Sequence, residues 1–339
     1  MPRLSIVLPN YNYAGYLDER IQSLLAQTHG DFELLILDDA SRDNSREVIE
    51  RYTHDRRVRA YYYAENSGST YPRWNDGAAL ATGEYLFFAG ADDSCHPTMV
   101  EKLLAKLEAH PSVGLAWCHS LIIDEAGQQI GLTAQSARVV DAHRWSVDYT
   151  DSGRNECQYL LISNAAIPTA SAVLMRRRLF VEAGGFDTSL PQAADYLMWV
   201  KLLLASDVAC IAEPLNYWRW HKASVTYNNM NHVADAQDIE EIYRVLLYLA
   251  RHLDVPEARY QAACEGWARR WMDRVVETRW RIPLWRNRRI YRLAREFDPR
   301  VGRRLARLYL EAQLEHWRMP EWLRAPGRVL AALFRKAEG

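Results

Sequence analysis

Short apolar runs alternate with helix-period stretches along the first third of the chain. Leu4 to Leu8 is such a run, closed by Pro9-Asn10-Tyr11-Asn12. Leu17, Ile21, Leu24 and Leu25 then fall at i, i+4, i+7 and i+8, one face of an amphipathic helix. Phe32 to Leu37 predicts a second buried strand ending in Asp38-Asp39-Ala40-Ser41, and Ser41 or Asp43 would cap a helix over 45–52. Val58 to Tyr62 predicts a third strand and the stretch 74–81 a helix. Tyr85 to Ala89 reads as a fourth strand buried on both faces, as in a parallel sheet covered by helices. This alternation predicts an α/β fold, a mostly parallel doubly wound sheet with a Rossmann-like first half.

Pro97 opens a predicted helix that runs to about His110, and Val113 to Ile123 predicts a strand. Residues 124–168 are polar and weakly periodic, which predicts loops and short strands. Beyond them the pattern predicts a strand over Thr169–Met175, a short helix ended by Gly184-Gly185, a helix over 192–204, and two short strands, Val208–Ile211 and Leu215–Trp220. From Val233 onward the signal is helical, over about 235–252, 256–279, 287–295, 300–317 and 326–336, with prolines between. The expected division is a catalytic domain over 1–232, with a nucleotide-binding half (1–93) and an acceptor half (94–232), followed by a helical domain over 233–339.

Charge sharpens that division. Residues 1–237 hold 20 Lys+Arg against 29 Asp+Glu, whereas 238–339 hold 22 against 14, so −9 faces +8 within a formal net charge of −1. Five scattered cysteines without a CxxC pair argue against a disulfide framework or a zinc site and suit a reducing, cytoplasmic setting. The chain starts directly with a strand, so no signal peptide is expected, and no apolar run reaches the ~18 residues of a membrane span.

The candidate chemistry gathers at Gly83–Asp93. Gly90 and Ala91 deliver Asp92 and Asp93 at the C-terminal end of the fourth strand, where open α/β sheets hold ligands. Neighbouring side chains on extended backbone point apart, so two separate tasks suit the pair: one accepting hydrogen bonds from a sugar hydroxyl, the other binding a hard divalent cation. An Asx turn capping the next helix is the alternative. No G-x-G-x-x-G follows the first strand, which counts against a dinucleotide cofactor.

An ordered set of fragments over the first 226 residues resembles inverting family 2 glycosyltransferases of the GT-A fold. They are SIVLPNYN (Ser5–Asn12), DDAS (Asp38–Ser41), NSGSTYPRWNDG (Asn66–Gly77), GEYLFFAGADD (Gly83–Asp93), GGFD (Gly184–Asp187), ADYLMWVKLL (Ala194–Leu203) and YWRWHKASVT (Tyr217–Thr226). The resemblance implies transfer of a sugar from a nucleotide diphosphate donor, with inversion at the anomeric carbon. It places Pro9 and Tyr11 at the base, Asp39 at a ring N–H of uracil or thymine, Arg73 near base and phosphates, and Asp92 at the ribose. It gives Asp93 and His221 a Mn²⁺ or Mg²⁺ ion, with Arg219, Ser224 and Thr226 as further diphosphate contacts. Asp195 takes the place of the base, and the first turn of a helix helps keep a carboxylate ionised. Two departures stand out: Gly90 replaces an acid many relatives carry, and Ala194 replaces the Glu commonly found before the base.

These features favour a UDP- or dTDP-sugar donor and a glycan or lipid-linked acceptor, in surface polysaccharide or lipopolysaccharide assembly on the cytoplasmic face. The alternatives are a degenerate transferase acting as an assembly scaffold and a sugar-phosphate nucleotidyltransferase. The second lacks support, because PNYNYAGY after the first strand has neither Arg nor Lys. In the tail, Trp267, Trp271 and Val275 lie on one helix face, expected to pack on the catalytic domain or a partner subunit. Glu321–Lys336, with Leu330, Leu333 and Phe334 among Arg324, Arg328, Arg335 and Lys336, is a candidate for docking on anionic lipid, which would make the protein peripheral at the membrane. No nucleic-acid module is visible.

Overall fold

The computed structural model describes residues 1–134, 141, 143–162, 167–222, 224, 236–277 and 282–316, with residues 277 and 312–316 described by backbone only. Its backbone divides into two compact units, Met1–Asn228 and Asn229–Gly339.

The first unit is built on one ten-stranded sheet. Strands β1 (Leu4–Asn10), β2 (Phe32–Asp38), β3 (Val58–Tyr62) and β4 (Tyr85–Phe88) pair in parallel in the order β3-β2-β1-β4. Helices α1 (Ala14–Leu25), α2 (Ser45–Glu50) and α3 (Thr70–Leu80) connect them. β1, β2 and β4 are buried along their whole lengths, as parallel strands covered on both faces must be. The core includes Leu4, Ile6, Leu8, Leu34, Ile36 and Phe87 of these strands and Leu17, Ile21 and Leu24 of α1. Pro9, which cannot donate to a ladder, still lies within β1, opposite Leu37.

Beyond β4 the sheet continues through β9 (Val173–Arg176), β6 (Val113–Ile123), β10 (Asp207–Arg219) and β5 (Ser94–Cys95); β7 (Gln129–Leu132) joins β6 and β8 (Tyr149–Asp151) joins β10. β9 is antiparallel to both neighbours. This half also holds α4 (Met99–Ala109), α5 (Gly153–Ile162), α6 (Arg177–Glu182) and α7 (Ala194–Ala205).

Three local expectations are corrected. The two strands predicted over 208–220 form the single strand β10, because Pro214 sits where the register with β6 shifts and its missing N–H is tolerated there. The strand expected from Thr169 starts only at Val173, after a 3₁₀ turn over Ala170–Ala172 capped by the Thr169 hydroxyl. Helix α5 lies in a stretch expected to be loops and short strands.

The second unit contains α8 (Gln237–His252), α9 (Glu257–Glu277), α10 (Leu284–Phe297) and α11 (Val301–His316). Trp267, Trp271 and Val275 are buried, with the Trp271 and Tyr243 rings 6.3 Å apart and the Trp271 indole N–H bonded to Asn287. Buried Glu240 is neutralised by Arg244, Arg286 and Arg289, which keeps a carboxylate affordable in the interior. Among the described residues no helix is long and apolar enough to cross a membrane. The segment 321–336 lies outside the described residues.

Candidate active site

The loops that follow β1, β2 and β3 line a cleft of about 560 Å³, bordered by Tyr11, Ala40, Ser41, Arg42, Tyr63 and Asn66. Tyr11 is 39% exposed at its mouth. Asn12 and Ala40 adopt left-handed backbone angles, which turn the chain sharply out of β1 and β2. Asn12 pins the crossing: its side-chain oxygen accepts from the Arg42 N–H, and its own N–H donates to the Ser41 hydroxyl.

Asp39 is buried beside this cleft, and both its oxygens are engaged. They accept from the Asn66 amide, the Ser67 N–H and hydroxyl, and the Arg73 guanidinium. Arg73 also binds Asp76 and stacks on the Tyr63 ring, 3.5 Å from its centre. Asp39 and Arg73 thus hold the Asn66–Ser69 turn against the sheet. Ser69 in turn caps α3.

At the end of β4 the two acids have different surroundings. The Asp92 carboxylate, partly exposed, lies 3.0 Å from His221 Nε2. Asp93 is buried and accepts from the Arg219 N–H at 2.9 Å and from the Ser171 hydroxyl. Burial and the adjacent Asp92 push Asp93 up to about 7, against the opposing charge of Arg20. Buried Arg20 reaches in from α1 with its guanidinium 5.6 Å from the centre of the Phe87 ring. Ser171 also accepts the Gly90 N–H, and a Cβ at position 90 would come within 3.0 Å of that hydroxyl and 3.1 Å of Asp93. The space a side chain at position 90 would need is filled by this hydrogen-bonded corner.

His221 follows β10 and is held by two rings from the start of α1: Tyr16, tilted at 4.7 Å, and Tyr13, edge-on at 5.8 Å. His221 thus faces Asp92, expected at the ribose, while Asp93, expected beside it at the cation, is buried and bonded to the Arg219 N–H. Arg219, expected as a diphosphate contact, is engaged within the protein. Its side chain is 2% exposed and its donors are spent on protein acceptors: Nε on the Asp92 carbonyl (2.8 Å), Nη1 on the Asp124 carbonyl (3.2 Å) and Nη2 on Glu19 (2.6 Å). It clamps three chain segments together. Ser224 is buried, its N–H donating to the His221 carbonyl, and Thr226 lies outside the described residues.

Asp195 stands in the first turn of α7. Burial raises its carboxyl above the ordinary range, while the Tyr196 N–H and the Tyr71 hydroxyl pull it back. Tyr71 belongs to an aromatic cluster with Trp74 (5.6 Å) and Phe186 (5.4 Å), and Phe88 of β4 joins that cluster 5.0 Å from Phe186. The loop before α7 is fixed by Asn75, which exchanges two hydrogen bonds of 2.9 Å with the Phe186 backbone. Gly184 and Gly185 supply the positive φ this turn needs. Sequence reasoning missed Tyr13, Tyr16, Glu19, Tyr71 and Ser171. The i, i+3 spacing of Tyr13 and Tyr16 hinted at a shared face, but nothing in sequence tied that face to His221.

Among the described residues no group of three His, Cys, Asp or Glu side chains could hold a metal. Asp92 and His221 nevertheless offer one carboxylate oxygen and one imidazole nitrogen together at the sheet edge. That donor set fits a divalent cation whose other positions are filled by phosphate oxygens and water.

A mostly parallel sheet with an acid–histidine pair at its edge, and a cleft with an aromatic mouth, has the architecture of the GT-A transferases, an α/β enzyme class. The family model described as glycosyl transferase family 2 matches residues 5–181, and the chain belongs to that family. An uncharacterized glycosyltransferase of Rickettsia typhi is 29% identical over 237 residues, covering 69% of each chain. A Bacillus subtilis glycosyltransferase named for teichuronic acid biosynthesis, TuaG, is 35% identical over 104 residues, 30% of this chain and 41% of that one. Staphylococcus aureus TarS (residues 1–349, with UDP) shares the fold at a TM-score of 0.63 and 19% identity, covering 90% of this chain and 83% of that one. The mannosyltransferase PcManGT of Pyrobaculum calidifontis, with GDP-Man and Mn²⁺, superposes at 0.52 and 16% identity, covering 98% and 84%.

Proposed function

We propose that this transferase moves a sugar from a nucleotide diphosphate donor, with inversion, to a hydroxyl of a glycan or lipid-linked acceptor. The setting is surface polysaccharide or lipopolysaccharide synthesis at the cytoplasmic face of a membrane. The observation that carries the reading is the Asp92–His221 pair beyond the end of β4, in a unit that also holds the cleft bordered by Tyr11 and Asn66. Asp92 and His221 would hold a Mn²⁺ or Mg²⁺ ion together with the diphosphate. When bound, such an ion neutralises the charge that builds on the leaving nucleoside diphosphate. UDP and UDP-GlcNAc in the TarS structures support a uridine donor, and Mn²⁺ in PcManGT supports the metal.

Each residue then has a task. Tyr11 offers its ring to the base. Asp39 and Arg73 shape the wall of the base pocket, with Asp39 still the candidate reader of a ring N–H. Asp92 is shared between cation and ribose, and Asp93 anchors the corner that holds it. Asp195 takes the proton from the acceptor hydroxyl as that oxygen attacks the anomeric carbon opposite the leaving group. A carboxylate raised by burial is a better base at neutral pH than an ordinary one.

The test is Asp195→Asn in full-length protein, with UDP- and dTDP-sugars and Mn²⁺. Donor binding should persist while transfer falls by about 10²–10⁴-fold. Full turnover by this variant would overturn the assignment of the base.

A further inference from the structure

The geometry points to a docking site for an anionic lipid bilayer on the exposed face of α10. This surface lies in the helical unit, so failure of the inference would leave the transferase reading standing.

Three helices line an apolar groove of about 500 Å³: Met272 and Val275 from α9, Leu284 and Tyr291 from α10, and Leu305 from α11. Arg288 and Arg292, four residues apart on α10, form its cationic rim. The arginines of this helix fall into two sets. Arg286 and Arg289 are committed to buried Glu240. Arg288 and Arg292 are exposed and, among the described residues, have no carboxylate partner. At the helix start, Leu284 is 77% exposed and Trp285 54% exposed. Leu284, Arg288, Tyr291, Arg292 and Arg295 follow i, i+4, i+7, i+8 and i+11, a single helix face.

Apolar side chains beside unpaired arginines match the two chemistries of a lipid interface. The groove accepts hydrocarbon, Trp285 suits headgroup depth, and the guanidiniums meet phosphate. The surplus of basic residues after position 237 adds long-range attraction to the same kind of surface. A soluble anion would use the arginines and leave Leu284 and Trp285 in water. A bilayer uses both.

The test is co-sedimentation of full-length protein with phosphatidylcholine vesicles, with and without about one-third phosphatidylglycerol. Binding is expected to the anionic vesicles alone and to weaken as salt rises. Each basic side chain at such a surface contributes about fivefold, so Arg288→Gln with Arg292→Gln should lose roughly thirtyfold. Leu284→Gln with Trp285→Gln should lose binding at unchanged charge. All four positions are exposed or at the groove rim, and the circular dichroism spectrum and thermal midpoint should not move in either variant, which reports an intact helical unit.

Equal binding to neutral and anionic vesicles, or variants that bind like the parent, would overturn the proposal. A dimer by light scattering that these substitutions dissolve, with no vesicle binding, would assign the face to a second copy instead. Binding that appears only after deletion of residues 321–339 would assign the groove to that segment of the chain.

Discussion

Arg219→Ala separates a structural clamp from a phosphate ligand. In the parent, the guanidinium bonds the partly buried carbonyls of Asp92 and Asp124 and pairs with Glu19. Leaving the two acceptors unmet costs about 1–3 kcal/mol each. Glu19 is half-exposed, so water screens that pair and its loss adds only about 0–1 kcal/mol. A destabilisation of about 3 kcal/mol follows, which at ordinary denaturant slopes moves the urea midpoint by about 1 M. Circular dichroism of the full-length protein through a urea series reads this directly. Because Nε holds the Asp92 main chain, metal-dependent UDP affinity should fall alongside. Arg219→Lys should rescue little, since one ammonium cannot replace a fork aimed at three acceptors. A variant that keeps its urea midpoint but loses diphosphate affinity would refute the clamp and restore Arg219 as a phosphate ligand.

Other outcomes follow from the same geometry. Tyr71→Phe removes only a hydroxyl that helps keep Asp195 ionised, so the acid limb of the kcat–pH profile should move to higher pH with UDP affinity unchanged; an unmoved limb counts against that role. Gly153→Ala would put a Cβ 2.1 Å from the carbonyl oxygens of Leu203 and Ser206, so thermal unfolding should show a loss of about 3 kcal/mol or a failure to fold.

The parallel half of the sheet was legible because its strands are short, mostly apolar runs, Glu33 of β2 and Arg59 of β3 being exceptions, and helix-period stretches separate them. Gly83–Asp93 stood out as a candidate because two acids end such a run, though burial of Asp93 could not be read there. What stayed hidden was pairing between distant segments. Glu156 of α5 is fully buried against Arg144 and Tyr149, so a helix whose inner face carries a carboxylate broke the expected apolar pattern. Arg219 looked available because its neighbours in sequence gave no sign that Glu19, Asp92 and Asp124 converge on it. That His221 faces Asp92 stayed hidden for a related reason: which of two adjacent carboxylates turns inward is set by Ser171 and by the Arg219 N–H, from elements β4 does not announce. The basic tail revealed its helices but not their inner faces, since its arginines divide between buried pairs and open solvent without any difference in spacing.

The central claim is that Asp92 and His221 share a divalent cation with a nucleoside diphosphate. Calorimetric titration of UDP into full-length protein, with and without Mn²⁺, tests it most directly. Mn²⁺ should tighten UDP binding at least about tenfold in the parent, and Asp92→Asn or His221→Ala should abolish that gain, each losing a charge-assisted ligand. An unchanged gain in both variants would contradict the account.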